Sequence, residues 1–236
     1  MSEKDNAPRK AYQTVVDYIK AGLRNGEFAF GDELPSERIL AEKLGLGRNS
    51  VREALRALEQ TGLVESRQGQ GNFLSDRMDE SLAEILSLQM LSGRGSWEEL
   101  SRFRCAIERE AFLIAVRRGV PAPALVKLRD AAFRMAEGES AEDTADAERD
   151  FHAALAEASG NRFIVAVSDA LSKLSSDEAE RVMDSADDSG RARLKELHRE
   201  LYEAAVRRSE KGLALIEEHY AFVEKELKKN GVTQQK

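Results

Sequence analysis

One cysteine, Cys105, stands among 236 residues. A single thiol cannot form an intrachain disulfide, so a stapled extracellular scaffold is excluded and the composition fits a reducing cytoplasm. Cys105 itself reads as a small buried apolar residue. Long apolar runs are also missing. Stretches such as Phe163–Val167 fall far short of the ~20 residues a membrane-spanning helix needs, so no membrane partner is expected. The opening MSEKDNAPRK has no apolar stretch of the kind that directs secretion, which again points to the cytoplasm. A surplus of positive charge is absent too: the net charge is −7, from 36 Lys+Arg against 43 Asp+Glu. Residues 1–75 hold 11 of each sign and are neutral; residues 76–236 hold the other 25 and 32 and carry the whole deficit. A general basic field is therefore excluded as a way of holding a polyanion, and any such contact depends on where individual arginines sit. No His-Glu-x-x-His, phosphate-binding glycine loop or nucleophile motif occurs, which argues against an enzyme.

What is present concentrates between Leu34 and Phe73: LPSERILAEKLGLGRNSVREALRALEQTGLVESRQGQGNF. Before it, residues 7–25 place Val15, Val16, Ile19 and Leu23 on one helical face, ended by Gly26. Ser36 is positioned to cap a second helix whose apolar stripe is Ile39, Leu40 and Leu44. Gly45-Leu46-Gly47 makes a turn. A third helix, Arg48–Thr61, turns Val51, Leu55 and Leu58 inward and stops at Gly62. Leu63–Ser66 and Asn72–Ser75 read as two short strands around a glycine-containing tip. The sum is three helices and a hairpin. Arg48, Arg52 and Arg56, at i, i+4 and i+8, share the face of the third helix opposite its core residues. A helix-turn-helix reads the major groove with the first turn of its second helix, here Arg48-Asn49-Ser50 followed by Arg52. Arginine is the side chain best suited to fork onto guanine edges or phosphates. Arg38 is placed to grip the backbone, and the hairpin would be a wing whose Gly69 tip slides close to the minor groove.

After Ser75 the pattern is helical throughout. Helices are expected near Asp79–Leu91, Trp97–Arg118, Pro121–Glu137, Ala141–Ala158, Arg162–Met183, Arg191–Arg208 and Glu210–Lys229. Ser96-Trp97-Glu98-Glu99 has the Ser-x-x-Glu form of a capping box. The fold expected is mainly α: a winged helix-turn-helix over residues 1–75, then an all-α antiparallel bundle of about seven helices over residues 76–236.

Only three histidines occur, His152, His198 and His219, each inside an expected helix. Glu148 lies one turn before His152 on the same face. One carboxylate and three imidazoles suit Zn, with Ni or a similar divalent metal as alternatives, and leave room for water or a ligand oxygen. Asp150 competes as the carboxylate, but two residues of helix turn it about 200° from Glu148.

The segment Leu34–Phe73 closely resembles the winged helix-turn-helix of GntR-family bacterial transcription regulators. The motif residues are Pro35-Ser36-Glu37-Arg38, Leu40-Ala41, Arg48, Val51–Leu55, Leu58, Gly62-Leu63-Val64, Gly69 and Gly71. The resemblance implies operator contacts by Arg38, Arg48, Arg52 and Gly69. Gly47 departs from the family's usual Ser or Thr, and Asn49 from a frequent Thr. The helical part resembles the FadR-type FCD ligand-binding domain of the same family, through Arg102–Glu108, the segment Phe151–Asn161, and His198 and His219. That resemblance implies a metal at Glu148, His152, His198 and His219, where relatives usually have Asp in place of Glu148. It also implies a small organic-acid effector, for which Arg104 is the candidate anchor; an intrahelical pair between Arg104 and Glu108 is the equally weighted alternative. The function so implied is a homodimeric regulator, a repressor by the commoner family behaviour, binding palindromic double-stranded operator DNA at the bacterial nucleoid. A regulator sensing the metal itself is one alternative, and a metal-dependent hydrolase a remote one.

Overall fold

A computed structural model of the protein describes residues 3–138, 140–174, 182 and 184–229. Among the described residues the chain is mainly helical, with ten helices and one two-stranded antiparallel hairpin. It forms two compact units that divide between Leu82 and Ala83.

In the first unit, α1 (Glu3–Asn25), α2 (Glu37–Leu44) and α3 (Arg48–Gln60) precede β1 (Val64–Arg67) and β2 (Gly71–Leu74). The helices share one core with the hairpin: Val15 and Ile19 of α1, Leu40 of α2, Val51, Leu55 and Leu58 of α3, Val64 and Leu74 of the strands. Each such side chain contributes about 1.5–3 kcal/mol when fully buried. Ser36 caps α2, accepting a hydrogen bond from the Ile39 N–H. Gly45 ends it in the left-handed region at φ 65°, where glycine carries no steric penalty. The register pairs Val64 with Leu74 and Arg67 with Gly71, so both strands sit one residue from their expected places. Leu74 N–H donates to the Asp32 carbonyl and Leu34 N–H to the Asn72 carbonyl, which makes residues 31–34 a third edge for β2. Ile39 departs from its expected burial and is 43% exposed. The core-facing arc of this short helix runs through Leu40, Ala41 and Leu44, and at 100° per residue Ile39 falls outside it.

The helix α4 (Met78–Leu91) crosses the division between the units. The second unit continues with α5 (Trp97–Arg118), α6 (Ala122–Glu137), α7 (Ala141–Ala158), α8 (Arg162–Leu174), α9 (Asp188–Val206) and α10 (Gly212–Lys229). The remainder of the expected Arg162–Met183 helix falls mostly outside the described residues. The capping box forms at Ser96 and Glu99, with both reciprocal hydrogen bonds present. Phe112 and Val116 of α5, Leu128 and Ala131 of α6, Phe151 and Leu155 of α7, Leu201 of α9, and Ile216 and Tyr220 of α10 form the main core. The His-bearing helices α7, α9 and α10 thus all pack around the same centre.

Candidate metal centre and nucleic-acid interface

Glu148 and His152 lie one turn apart on α7, His198 lies on α9 and His219 on α10. All four are buried, and one ligand atom from each falls within 4.8 Å of the others. The imidazole edges point inward. His152 Nε2 is 3.4 Å from His198 Nε2, His219 Nε2 is 3.2 Å from Glu148 Oε1, and His152 Nε2 is 3.6 Å from the same oxygen. Outer partners fix two rings. His198 Nδ1 donates to the Leu194 carbonyl at 2.8 Å, and an acceptor that can only accept places the proton on Nδ1 and leaves a lone pair on Nε2. His152 Nδ1 meets Glu108 Oε2 at 2.8 Å, and Glu108 Oε1 also accepts from the Tyr220 hydroxyl. Glu148 Oε2 and His219 Nδ1 are buried with no hydrogen-bond partner.

The electrostatics divide the three histidines. Burial, reinforced by the charges of His219 and His152, presses His198 down to about 3 and keeps it neutral. Burial also lowers His219, and outweighs the opposing hydrogen bond that His219 donates to Glu148. Burial alone would lower His152 as well, but Glu108 and Glu148 lift it to about 9. For both glutamates burial acts upward and is overcome: the His152 charge and hydrogen bond hold Glu108 at about 2, and hydrogen bonds from His152 and His219 hold Glu148 well below its ordinary value. The His152 imidazolium and the Arg104 guanidinium thus face two buried carboxylates. The donor set of two oriented rings, a third imidazole and a carboxylate with a free oxygen fits a divalent ion.

Asp150 is exposed and pairs with Arg134 at 2.6 Å, away from this cluster. Arg104 lies on the near side of it. Its guanidinium sits 5.6 Å from the Tyr220 ring centroid, and its charge helps hold Glu108 ionised. A cavity of about 20 Å³, room for one water-sized group, is lined by Arg104, Glu108, His152, Ser168, Asp169 and Ser172. Glu108 and Tyr220 are site residues that the sequence reading did not assign. Glu108 entered the sequence reading only as the end of the Arg102–Glu108 segment and as a helical partner for Arg104, and it is buried on α5.

In the first unit Arg38, Arg48, Asn49 and Arg52 are exposed and Ser50 is half-buried. Gly47 caps α3 without a side-chain hydrogen bond, leaving its first-turn N–H groups open. The arginines of that face are not equivalent. Arg56 pairs with Glu53 on its own helix, and Arg38 with Glu42 at 3.5 Å. Arg52 instead makes a forked bond across to Glu37 of α2, with Nη2 at 2.9 Å from Oε2. Gly69 lies at the hairpin tip with φ 72°, and nothing within 4 Å would meet a side chain there. Gly71, at φ 117°, backs onto Glu33, whose Oε1 would lie 2.8 Å from an added Cβ.

Residues 11–74 match the family described as bacterial regulatory proteins, gntR family, and residues 99–222 match the FCD domain. The transcriptional regulator LutR of Bacillus subtilis is 35% identical over 146 residues, covering 60% of this chain and 65% of its own length. The transcriptional repressor NanR of Klebsiella aerogenes is 33% identical over 171 residues, 70% of this chain and 65% of its own. A putative L-lactate dehydrogenase operon regulatory protein of Escherichia coli is 32% identical over 158 residues, 65% of this chain and 60% of its own. The chain thus spans a little under two thirds of the length of these relatives. A GntR structure from Streptococcus agalactiae shares the fold, with TM-score 0.69 at 24% identity over 91% of this chain and 99% of that one. These family and relative names are those of regulatory proteins, not of enzymes. No helix among the described residues is long and apolar enough to cross a membrane. The chain belongs to the GntR family of bacterial regulators, FadR type, with a helix-turn-helix unit followed by an FCD domain.

Proposed function

We propose that the protein is a transcriptional regulator that binds dyad-symmetric operator DNA as a homodimer and releases it when a small carboxylate docks in the helical unit. The observation that carries this reading is the buried Glu148–His152–His198–His219 cluster with Arg104 close to Tyr220 and Glu108 beside it. Such a cluster has no structural need for orphaned atoms in a core, and leaving Glu148 Oε2 and His219 Nδ1 unpaired costs about 1–3 kcal/mol each. The four residues would hold a divalent metal, zinc or a similar ion. The bound ion would supply a Lewis-acidic position for a carboxylate oxygen. The chain's own groups do the rest. Glu108 accepts the Nδ1 hydrogen of His152 and holds its ring; the Leu194 carbonyl does the same for His198. Arg104, beside the cluster, is the candidate anchor for the other carboxylate oxygen.

In the first unit Arg48, Asn49, Ser50 and Arg52 would enter the major groove, Arg38 would hold phosphate, and the Gly69 tip would approach the minor groove. A reading segment that is neutral over residues 1–75, on an acidic chain, would bind DNA through these few contacts rather than through its overall field. Ligand can shift DNA affinity only by binding the two states of the protein unequally. The relative named for an L-lactate dehydrogenase operon makes 2-hydroxy carboxylates the first class to screen.

Metal analysis of the purified protein tests the site. One tightly held divalent ion per chain is expected in the wild type, and none in His152→Ala or His198→Ala. Metal retained in both variants would remove the assignment. If chelation alone abolishes operator binding, the metal is itself the effector.

A further inference from the structure

Glu37 is the first residue of α2 and Arg52 lies in the second turn of α3, so their bond ties the two helices of the reading motif together. The carboxylate meets the guanidinium side-on. Arg52 Nε donates to Glu37 Oε1 and Oε2 at 3.1 and 3.0 Å, and Nη2 donates to Oε2 at 2.9 Å. The neighbouring pairs, Arg38 with Glu42 and Arg56 with Glu53, are single contacts within one helix and leave their arginines free to swing. The hydrogen count on Arg52 is informative. A guanidinium carries five N–H donors in a rigid plane. Glu37 occupies the Nε hydrogen and the inner Nη2 hydrogen. Both Nη1 hydrogens and the outer Nη2 hydrogen remain. The outer edge, one Nη1–H beside one Nη2–H, presents two parallel donors at the spacing that guanine O6 and N7 accept.

We propose that Glu37 is a specificity-determining positioning residue, which braces Arg52 by its inner edge so that only the outer edge is left to read one guanine in each half-site. The inference rests on the DNA-reading assignment above. An unbraced arginine can fall on any phosphate within reach; a braced one has a single edge and a single direction. The brace also places a negative charge near the phosphates, which lowers affinity for all DNA alike and so favours discrimination over bulk binding. Glu37 keeps that charge, because the hydrogen bond from Arg52 lowers its carboxyl.

Selection of the full-length protein on random-sequence duplexes, followed by titration of the enriched site and its single-base variants, tests this. The wild type should enrich half-sites with one guanine whose replacement weakens binding about ten-fold or more. Arg52→Ala should lose that preference. Glu37→Gln and Glu37→Asp should lose it at the same base pair, Gln by removing the charge and Asp by shortening the reach. Glu37→Gln should bind an unrelated duplex as well as the wild type or better, and thermal melting should report a folded unit in both. Wild-type preference retained in Glu37→Gln overturns the brace while leaving DNA reading intact. Retention in Glu37→Asp alone assigns the effect to charge and overturns the positioning role. No enrichment by the wild type overturns the DNA reading and the brace with it.

Discussion

His198 is fully buried, gives its Nδ1 hydrogen to Leu194, and keeps a bare Nε2 facing His152. The cluster's ionisation makes the metal-free protein sensitive to pH on both sides. His198 sits at about 3 when folded against an ordinary 6.5, and His219 is also lowered, so unfolding takes up protons and stability falls as pH drops below 6.5. Glu108 and Glu148 are lowered as well, and their contribution is lost as pH falls through and below the ordinary 4.5. His152 is raised to about 9, so its contribution is complete below 6.5 and is lost as pH rises through 9. Thermal melting of the chelated protein across pH should therefore peak near neutrality, ~pH 6.5–7. A midpoint unchanged between pH 7 and 4 would contradict the ionisation described. The four residues of the buried cluster were legible in the sequence, because three histidines in helical segments and a glutamate one turn away are few enough to single out. Glu108 and Tyr220 were not. Their bonds to the site span 44 and 112 residues, and no local periodicity reports contacts of that range.

Helices announce their ends locally, which is why most of them were readable. Ser36, Gly45, the Ser96 box and Gly119 act within one turn of the boundary they set. Both strands of the wing lie one residue nearer the tip than expected, and Ile39 was misjudged because a short helix offers a narrow core arc. Packing between elements supplies constraints of another kind. Gly212 opens α10 directly against Phe112 of α5: an added Cβ would lie 2.1 Å from the ring, and that ring is buried with nowhere to turn. Gly212→Ala should therefore destabilise the helical unit by about 1–3 kcal/mol, the usual cost of overpacking, despite alanine's better helix propensity. Differential scanning calorimetry checks it, and a variant as stable as the wild type would mean that α10 shifts freely on α5. Because α5 and α10 carry Glu108, Tyr220 and His219, the same variant should weaken metal binding.

The whole molecule joins a neutral segment, residues 1–75, bearing exposed arginines to an acidic remainder bearing a buried histidine cluster, and that division of charge was visible in the sequence counts. If the second unit controls the first through a carboxylate beside a bound metal, that carboxylate must change the affinity for DNA. The direct measurement is the affinity of the zinc-loaded, full-length protein for its selected duplex, read by fluorescence anisotropy with and without each of a panel of small carboxylates that includes L-lactate. At least one of them should change the dissociation constant by about five-fold or more, and the change should disappear in both His198→Ala and Arg104→Ala while their DNA binding without ligand stays near wild type. No response to any carboxylate in the panel, or an undiminished response in His198→Ala, would contradict it.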